Sequence, residues 1–235
     1  MARKERLTAI GFDADDTLWH NERIFRLTED RFTAMLSEHA DASVVSARLL
    51  EAERSNIAYY GFGVKGFTLS MIETALEVTG GNVSSGVIRE ILKSGRDMLD
   101  HPVETLPHAK EVLDAVAGRY RVILITKGDL FDQERKLAQS GLGDYFDAVE
   151  IVADKSPERY TDIFHRHGDG ARQSLMVGNS LKSDIVPVIQ AGGWGVHIPH
   201  DLTWDLEHAE PPESHPRFRR IDDLGKLPGI LGQIS

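Results

Sequence analysis

Short apolar runs separated by helical patterns organise this chain. Leu7 to Phe12 is apolar and of a length that suits a buried strand. Similar runs recur at Arg121–Thr126, Ala148–Val152, Ser174–Gly178 and Trp194–Ile198, and Arg217–Ile221 is expected as a last edge strand. Between them the apolar positions fall at helical spacing. Ala109, Val112, Leu113 and Val116 form one such face, and Tyr160, Ile163 and Phe164 another. Further helices are expected through Phe131, Leu137 and Ala138, and up to Ala191. Pro107 and Pro157 stand where a helix can open, and Gly118 and Gly141 where one can close. Strands alternating with helices predict an α/β fold built on a doubly wound parallel sheet.

The stretch 21–100 breaks that alternation. Phe25, Phe32, Met35 and Leu36 share a helical face, and Val44, Val45, Leu49 and Leu50 suggest a second helix. Leu69, Ile72, Ala75, Leu76 and Val78 suggest a third, ending at Gly80-Gly81, and Val87, Ile88, Ile91 and Leu92 a fourth. No strand pattern interrupts them, so they are expected to form an α-helical bundle of their own. The predicted organisation is a core domain made of 1–20 and 101–235, with a helical domain, 21–100, inserted into it.

Gly61, Gly63 and Gly66 spell the letters of a dinucleotide loop. That pattern binds dinucleotides only between a strand and a helix. The preceding residues, Glu51 to Ala58, look helical, which excludes it. The glycines are expected in a loop with positive φ. It is either a plain connection or a surface on which Lys65 and the neighbouring aromatics meet a substrate.

Charge and composition narrow the partners. The formal net charge is −10, which argues against a general nucleic-acid binder. Any positive potential for an anionic ligand must then be local. Cysteine is absent, which excludes disulfides, thiolate catalysis and cysteine-based zinc sites, and fits the reducing cytoplasm where the chain is expected. The start, Met-Ala-Arg-Lys-Glu-Arg, is charged, and the apolar stretch after it is too short for a signal-peptide core. No run approaches the ~20 apolar residues of a membrane helix.

The chemistry gathers at strand ends. The first strand stops at Asp13, Asp15 and Asp16. Strand alternation points Asp13 and Asp15 the same way, and such a pair repels unless a cation or a shared proton relieves it. Thr126 and Lys127 follow the second strand, Lys155 the third, and Asn179 with Asp184 the fourth. In open α/β sheets ligands sit beyond the carboxyl ends of the strands, so these groups belong on one edge. Carboxylates and an amide oxygen suit Mg²⁺, a hard cation. A hydroxyl and a lysine suit phosphoryl oxygens, and an aspartate can attack phosphorus. Singly, each has a plainer role: a strand-end hydroxyl, a solvated lysine, a turn asparagine, a helix-start acid. His197, His200 and His208 with Asp201 are weaker metal candidates. Their spacing matches no zinc pattern, which favours a polar loop over 200–216. Trp19 is expected to pack in the core.

Taken in order, Asp13-x-Asp15-x-Thr17, Thr126, Lys155 and Asn179 with Asp184 resemble the four motifs of the haloacid dehalogenase superfamily, phosphatase branch, over nearly the whole chain. The resemblance implies a helical cap inserted after the first motif and a Mg²⁺-dependent phosphatase acting on a small phosphorylated metabolite. It implies Asp13 as nucleophile and metal ligand, and Asp15 as acid and base with a backbone ligand to the metal. Thr126 and Lys155 would hold the phosphoryl group, with Lys127 and Lys65 as further contacts. Asn179 and Asp184 would complete the metal site. Asn179 stands where the family commonly has Asp, and Lys127 where Asn often follows the motif Thr. A haloacid dehalogenase lacks the carboxylate at the Asp15 position, which argues against that activity. A sugar phosphomutase, on the same scaffold, is excluded only weakly. A phospho-accepting receiver would not carry the helical insert, and retention of Asp13, Asp15, Thr126 and Lys155 argues against a non-catalytic binding protein. Neither the substrate nor the oligomeric state is written in these motifs.

Overall fold

The computed structural model describes residues 6–234; most of the charged start, 1–5, lies outside them. In chain order come β1 (Ala9–Phe12), then α1 (Glu22–Met35), α2 (Ala42–Tyr60), α3 (Val64–Val78) and α4 (Ser85–Leu99). The strand–helix alternation resumes with α5 (Ala109–Val116), β2 (Arg121–Lys127), α6 (Leu130–Ser140), β3 (Ala148–Val152) and α7 (Pro157–His167). It closes with β4 (Ser174–Gly178), α8 (Val186–Gln190), β5 (Trp194–His197), β6 (Phe218–Arg220) and α9 (Leu227–Ile234).

The chain divides into two compact units. One takes the chain up to Glu22, then Val103–Lys127 and everything from Gln133 onward; the other takes Arg23–Pro102 and Gly128–Asp132.

The first unit is built on a six-stranded parallel sheet in the order β3-β2-β1-β4-β5-β6. Both faces of the sheet are covered, so its central strands read as unbroken apolar runs rather than alternating ones. Successive residues still take opposite faces. Ile10, Phe12, Val122, Leu124, Leu175 and Val177 join the core shared with α5 and α9. Ile123, Ile125 and Met176 join Tyr160, Ile163 and Phe164 of α7 on the other side. All strands run the same way, so the carboxyl ends of β1, β2, β3 and β4 lie along one edge. The order reverses direction about β1, the crevice position where α/β sheets bind ligands.

In the helical unit, Phe32, Leu36, Leu49, Phe67, Met71 and Ile91 are buried together. Ser84 caps α4 by accepting a hydrogen bond from Val87 N at 3.2 Å. Gly61 and Gly63 have φ of 69° and 111° and form the turn between α2 and α3. Gly66, expected in that same loop, is instead inside α3. A Cβ there would come within 2.9 Å of Gly61 O, so the tight turn demands a glycine without a positive φ.

One local expectation fails and one helix goes unanticipated, both for visible reasons. Pro107 does not open α5. The helix begins at Ala109 after His108, which takes a left-handed φ of 66°. The closing helix α9 was not expected, because Pro228 and Gly229 obscure its period. Its Leu227, Leu231 and Ile234 are nevertheless buried in the core.

Candidate active site

β1 delivers Asp13 at its carboxyl end, and the chain turns sharply after it. Thr17 N and Leu18 N bond back to Ala14 O, and Asp16 takes a left-handed φ of 59°. The turn brings Thr17 over Asp13, and its Oγ1 donates to Asp13 Oδ2 at 3.0 Å. The same hydroxyl accepts from Asn179 N at 3.1 Å and lies 3.4 Å from Asn179 Oδ1, which joins the end of β1 to the end of β4.

Lys155 is the charge at the centre. Its Nζ lies 2.5 Å from Asp13 Oδ1 and 2.7 Å from Asp184 Oδ1, and all three side chains are buried. Burial opposes the lysine's charge, but the two carboxylates outweigh it and hold the ammonium above its ordinary range. One positive charge cannot satisfy two buried carboxylates. Burial and then Asp184 push the Asp13 carboxyl up to about 7, against the pull of Lys155. Asp184 is set by a wide helical turn over Leu181–Ile185, with Oδ2 accepting from Ser180 N at 2.9 Å. Gly178 makes room for it. A Cβ at Gly178 would stand 2.2 Å from Asp184 Oδ2 and 2.6 Å from its Cβ.

Asp15 is held by a separate set. Trp19 Nε1 donates to Oδ1 at 2.7 Å, and Gln133 Nε2 to Oδ2 at 2.8 Å. Lys136 Nζ bonds both oxygens, at 2.7 and 2.9 Å. Trp19 is fully buried, as expected of a core residue, yet its one polar atom serves this carboxylate.

Lys127, at the end of β2, bonds Ser183 Oγ at 2.8 Å and Glu207 Oε1 at 2.6 Å. Glu207 also accepts from Ser180 Oγ at 2.6 Å and from Ser183 Oγ. Thr126 is buried beside it, with Oγ1 directed at Lys127 O at 3.3 Å. Lys65 belongs to the helical unit, where its Nζ pairs with Asp129 at 2.9 Å and is largely exposed.

The structure therefore ties Asp13, Lys155, Asn179 and Asp184 into one bonded group, with Thr126 and Lys127 at the end of the next strand. Sequence alone singled out neither Gln133 and Lys136 nor Glu207. The first two lie on the helix after the second motif, and Glu207 lies far along a polar loop. No local pattern marks any of them.

Of the three histidines that are weaker metal candidates, His197 ends β5 and points Nε2 at Asn179 O, 3.0 Å away, and burial lowers its basicity. His208 lies 3.9 Å from Asp205. Among the described residues, His197, His200 and His208 do not form a metal-sized cluster with Asp201.

Glu207 supplies a pH test. Burial pushes its carboxyl up, but Lys127 with the hydroxyls of Ser180 and Ser183 outweighs this and holds it below the ordinary range. A lowered folded value means the unfolded chain takes up the proton first as pH falls. The stabilisation is complete above about pH 4.3 and lost below it. Glu207→Gln should cost about 2 kcal/mol at pH 7, because it takes a counter-charge away from the partly buried Lys127. Urea unfolding of both proteins should show that gap closing toward pH 3.

The donor set fits a hard cation. The Asp13 and Asp184 carboxylates, the Asn179 amide oxygen and the Asp15 backbone carbonyl could each offer such an ion an oxygen, and the two carboxylates outweigh the charge of Lys155.

Comparison with known proteins places these features. The family model for the haloacid dehalogenase-like hydrolases matches residues 7–192. Pyrimidine 5'-nucleotidase YjjG of Escherichia coli (strain K12) is 29% identical over 157 residues, covering 64% of this chain and 65% of the relative's length. The crystal structure of a haloacid dehalogenase-like family hydrolase from Xanthomonas campestris superposes with a TM-score of 0.87 at 40% identity, covering 97% of this chain and 91% of that one. L-2-haloacid dehalogenase from Xanthobacter autotrophicus shares the fold, with a TM-score of 0.67 at 18% identity over 97% of this chain and all of that one (100%).

Proposed function

This chain belongs to the haloacid dehalogenase-like hydrolase family, and from that premise we propose that it hydrolyses a small phosphomonoester through an aspartyl phosphate. The observation that carries the proposal is Asp15. A second carboxylate stands two residues after the nucleophile and is oriented by Trp19, Gln133 and Lys136 rather than by the lysine that serves Asp13. Attack by an aspartate alone would serve displacement of a halide. An alkoxide leaving group needs a proton, and a phosphoenzyme needs an activated water.

In this scheme an oxygen of Asp13 attacks phosphorus, and the bond from phosphorus to the ester oxygen breaks. Asp15 gives its proton to that departing oxygen. Asp15 then takes a proton from water as the water attacks the phosphoryl group, releasing phosphate and restoring Asp13. All the lone pairs facing the donors around Asp15 are engaged, so a protonated Asp15 requires Gln133 or Lys136 to yield one oxygen. Lys155 and Thr126 hold the phosphoryl oxygens. Mg²⁺, held by Asp13, Asp184, Asn179 and the Asp15 carbonyl, would screen the charge of those oxygens when bound. The helical unit takes the part of the cap that selects the substrate, with Lys65 at the start of α3 as one contact. The likeness to a pyrimidine 5'-nucleotidase makes nucleoside 5'-monophosphates the first substrates to test.

The test is a hydrolysis screen over nucleoside 5'-monophosphates, sugar phosphates and 2-haloacids, with and without Mg²⁺. Phosphate release that needs Mg²⁺ is expected, and Asp15→Asn should lower kcat by ~10²–10⁴-fold. Halide release without phosphate release would overturn the proposal, as would full activity of Asp15→Asn.

A further inference from the structure

A second constellation in the sheet unit takes no part in the chemistry above. The ligand atoms of Asp16, His20 and His200 all lie within 4.8 Å of one another. Asp16 is buried, and its carboxylate is fixed by Asn21 N at 2.9 Å and Glu22 N at 3.0 Å. These bonds use only part of the acceptor capacity of a carboxylate. The two imidazoles meet edge to face, with ring centroids 6.2 Å apart.

His200 defines what sits between them. Its Nδ1 lies 2.8 Å from Leu202 O and 3.3 Å from Leu202 N. A carbonyl oxygen only accepts, so taking the shorter of the two contacts as the hydrogen bond puts the proton on Nδ1. In the neutral ring, Nε2 then carries a lone pair, and it faces Asp16 Oδ1 at 3.6 Å. Two donors each ~2.0–2.1 Å from one tetrahedral ion stand ~3.4 Å apart. A backbone carbonyl that fixes the far nitrogen of a ligating histidine is the usual support of such a site.

We propose that Asp16, His20 and His200 bind one divalent transition ion of the Zn²⁺ type, with water completing its shell. Two imidazoles and one carboxylate form a borderline donor set that selects such ions over Mg²⁺. The ion would fasten the loop after β5 to the first-motif turn, one residue from Asp15. The site is independent of the proposed hydrolysis, since none of its three side chains touches Asp13, Lys155 or Asp184 in the bonds described above.

The experiment uses Co²⁺ as a spectroscopic probe on the full chain, stripped of metal and kept in excess Mg²⁺. The Mg²⁺ competes for the all-oxygen site and leaves imidazole ligands available. One Co²⁺ per chain with a saturable visible absorption band is expected, displaced mole for mole by Zn²⁺. His20→Gln and His200→Gln should each weaken binding at least ~10-fold, while His208→Gln should bind as the parent does. Asp16 is left intact because it also secures the start of α1. Unfolding of the stripped variants at the parent's temperature, with the Zn²⁺-induced rise in Tm lost only in His20→Gln and His200→Gln, would separate ligand loss from misfolding. Absence of a saturable band in the parent, or parental affinity in both variants, would overturn the site.

Discussion

Asp13→Asn should leave no measurable turnover, a loss of at least ~10⁴-fold in kcat. An amide oxygen is a poor nucleophile toward phosphorus, and no neighbouring carboxylate can substitute. Asp184 is fixed by Lys155 and Ser180 N, and Asp15 by its own three donors. The fold should survive. Asn keeps an oxygen for Lys155, its Nδ2 can donate to the Thr17 hydroxyl once that rotates its proton toward Asn179 Oδ1, and removal of one of two buried carboxylates lessens the repulsion with Asp184. The check is twofold: phosphate release under saturating substrate, and mass spectrometry of acid-quenched protein. The parent should carry a phosphoryl mass adduct on the peptide containing Asp13, and the variant none. Full activity in the variant would exclude a covalent intermediate.

Lys155→Met should damage both stability and turnover. The ammonium bridges two carboxylates, and its side chain is only 2% exposed. Removing one partner of a buried ionic group typically costs 3–5 kcal/mol, because the remaining charges keep their desolvation cost without compensation. The pH dependence has a definite sign. With the lysine gone, burial and the Asp184 charge raise the Asp13 carboxyl further, so the folded state binds a proton more tightly than the unfolded one. Stability then falls as pH rises from the unfolded value through the folded one. The variant should be nearest to the parent around pH 5 and furthest from it at pH 8. Turnover at pH 7 should fall by ~10²–10³-fold through loss of charge beside the phosphoryl oxygens. Urea unfolding at the two pH values, with steady-state kinetics, provides the readout. Equal stability at pH 8 would show that Lys155 is not what holds Asp13 and Asp184 together.

The sheet was legible because its strands are buried on both faces. That burial leaves apolar runs whose ends stand out against Asp13, Thr126, Lys155 and Asn179. Helical period gave the insert the same clarity. What stayed hidden depends on contacts between residues distant in the chain. Lys136 looks like any surface lysine of an amphipathic helix until the fold sets it on Asp15. Glu207 lies in a loop of Pro, His and Glu, with nothing local to tie it to Ser180, Ser183 and Lys127. His20 and His200 are far apart in sequence, so no spacing rule joins them. Gly66 was misplaced for the converse reason, since the letters match a loop motif while the backbone there is helical.

The position of β1 also bears on how the protein comes to be made. This strand is the middle of the sheet, and its Ala9 pairs with Arg121 on one side and Ser174 on the other. Both partners leave the ribosome long after it does, with the whole helical insert in between. The helices α1 to α4 need only nearby residues to nucleate, whereas the central strand must wait for distant ones, and such pairings are slow. Until β2 and then β4 emerge, the nascent chain carries an apolar strand with an unpaired edge next to Asp13, the kind of segment that aggregates and that chaperones shield. The aspartates proposed as catalytic are translated before the strands that complete their site.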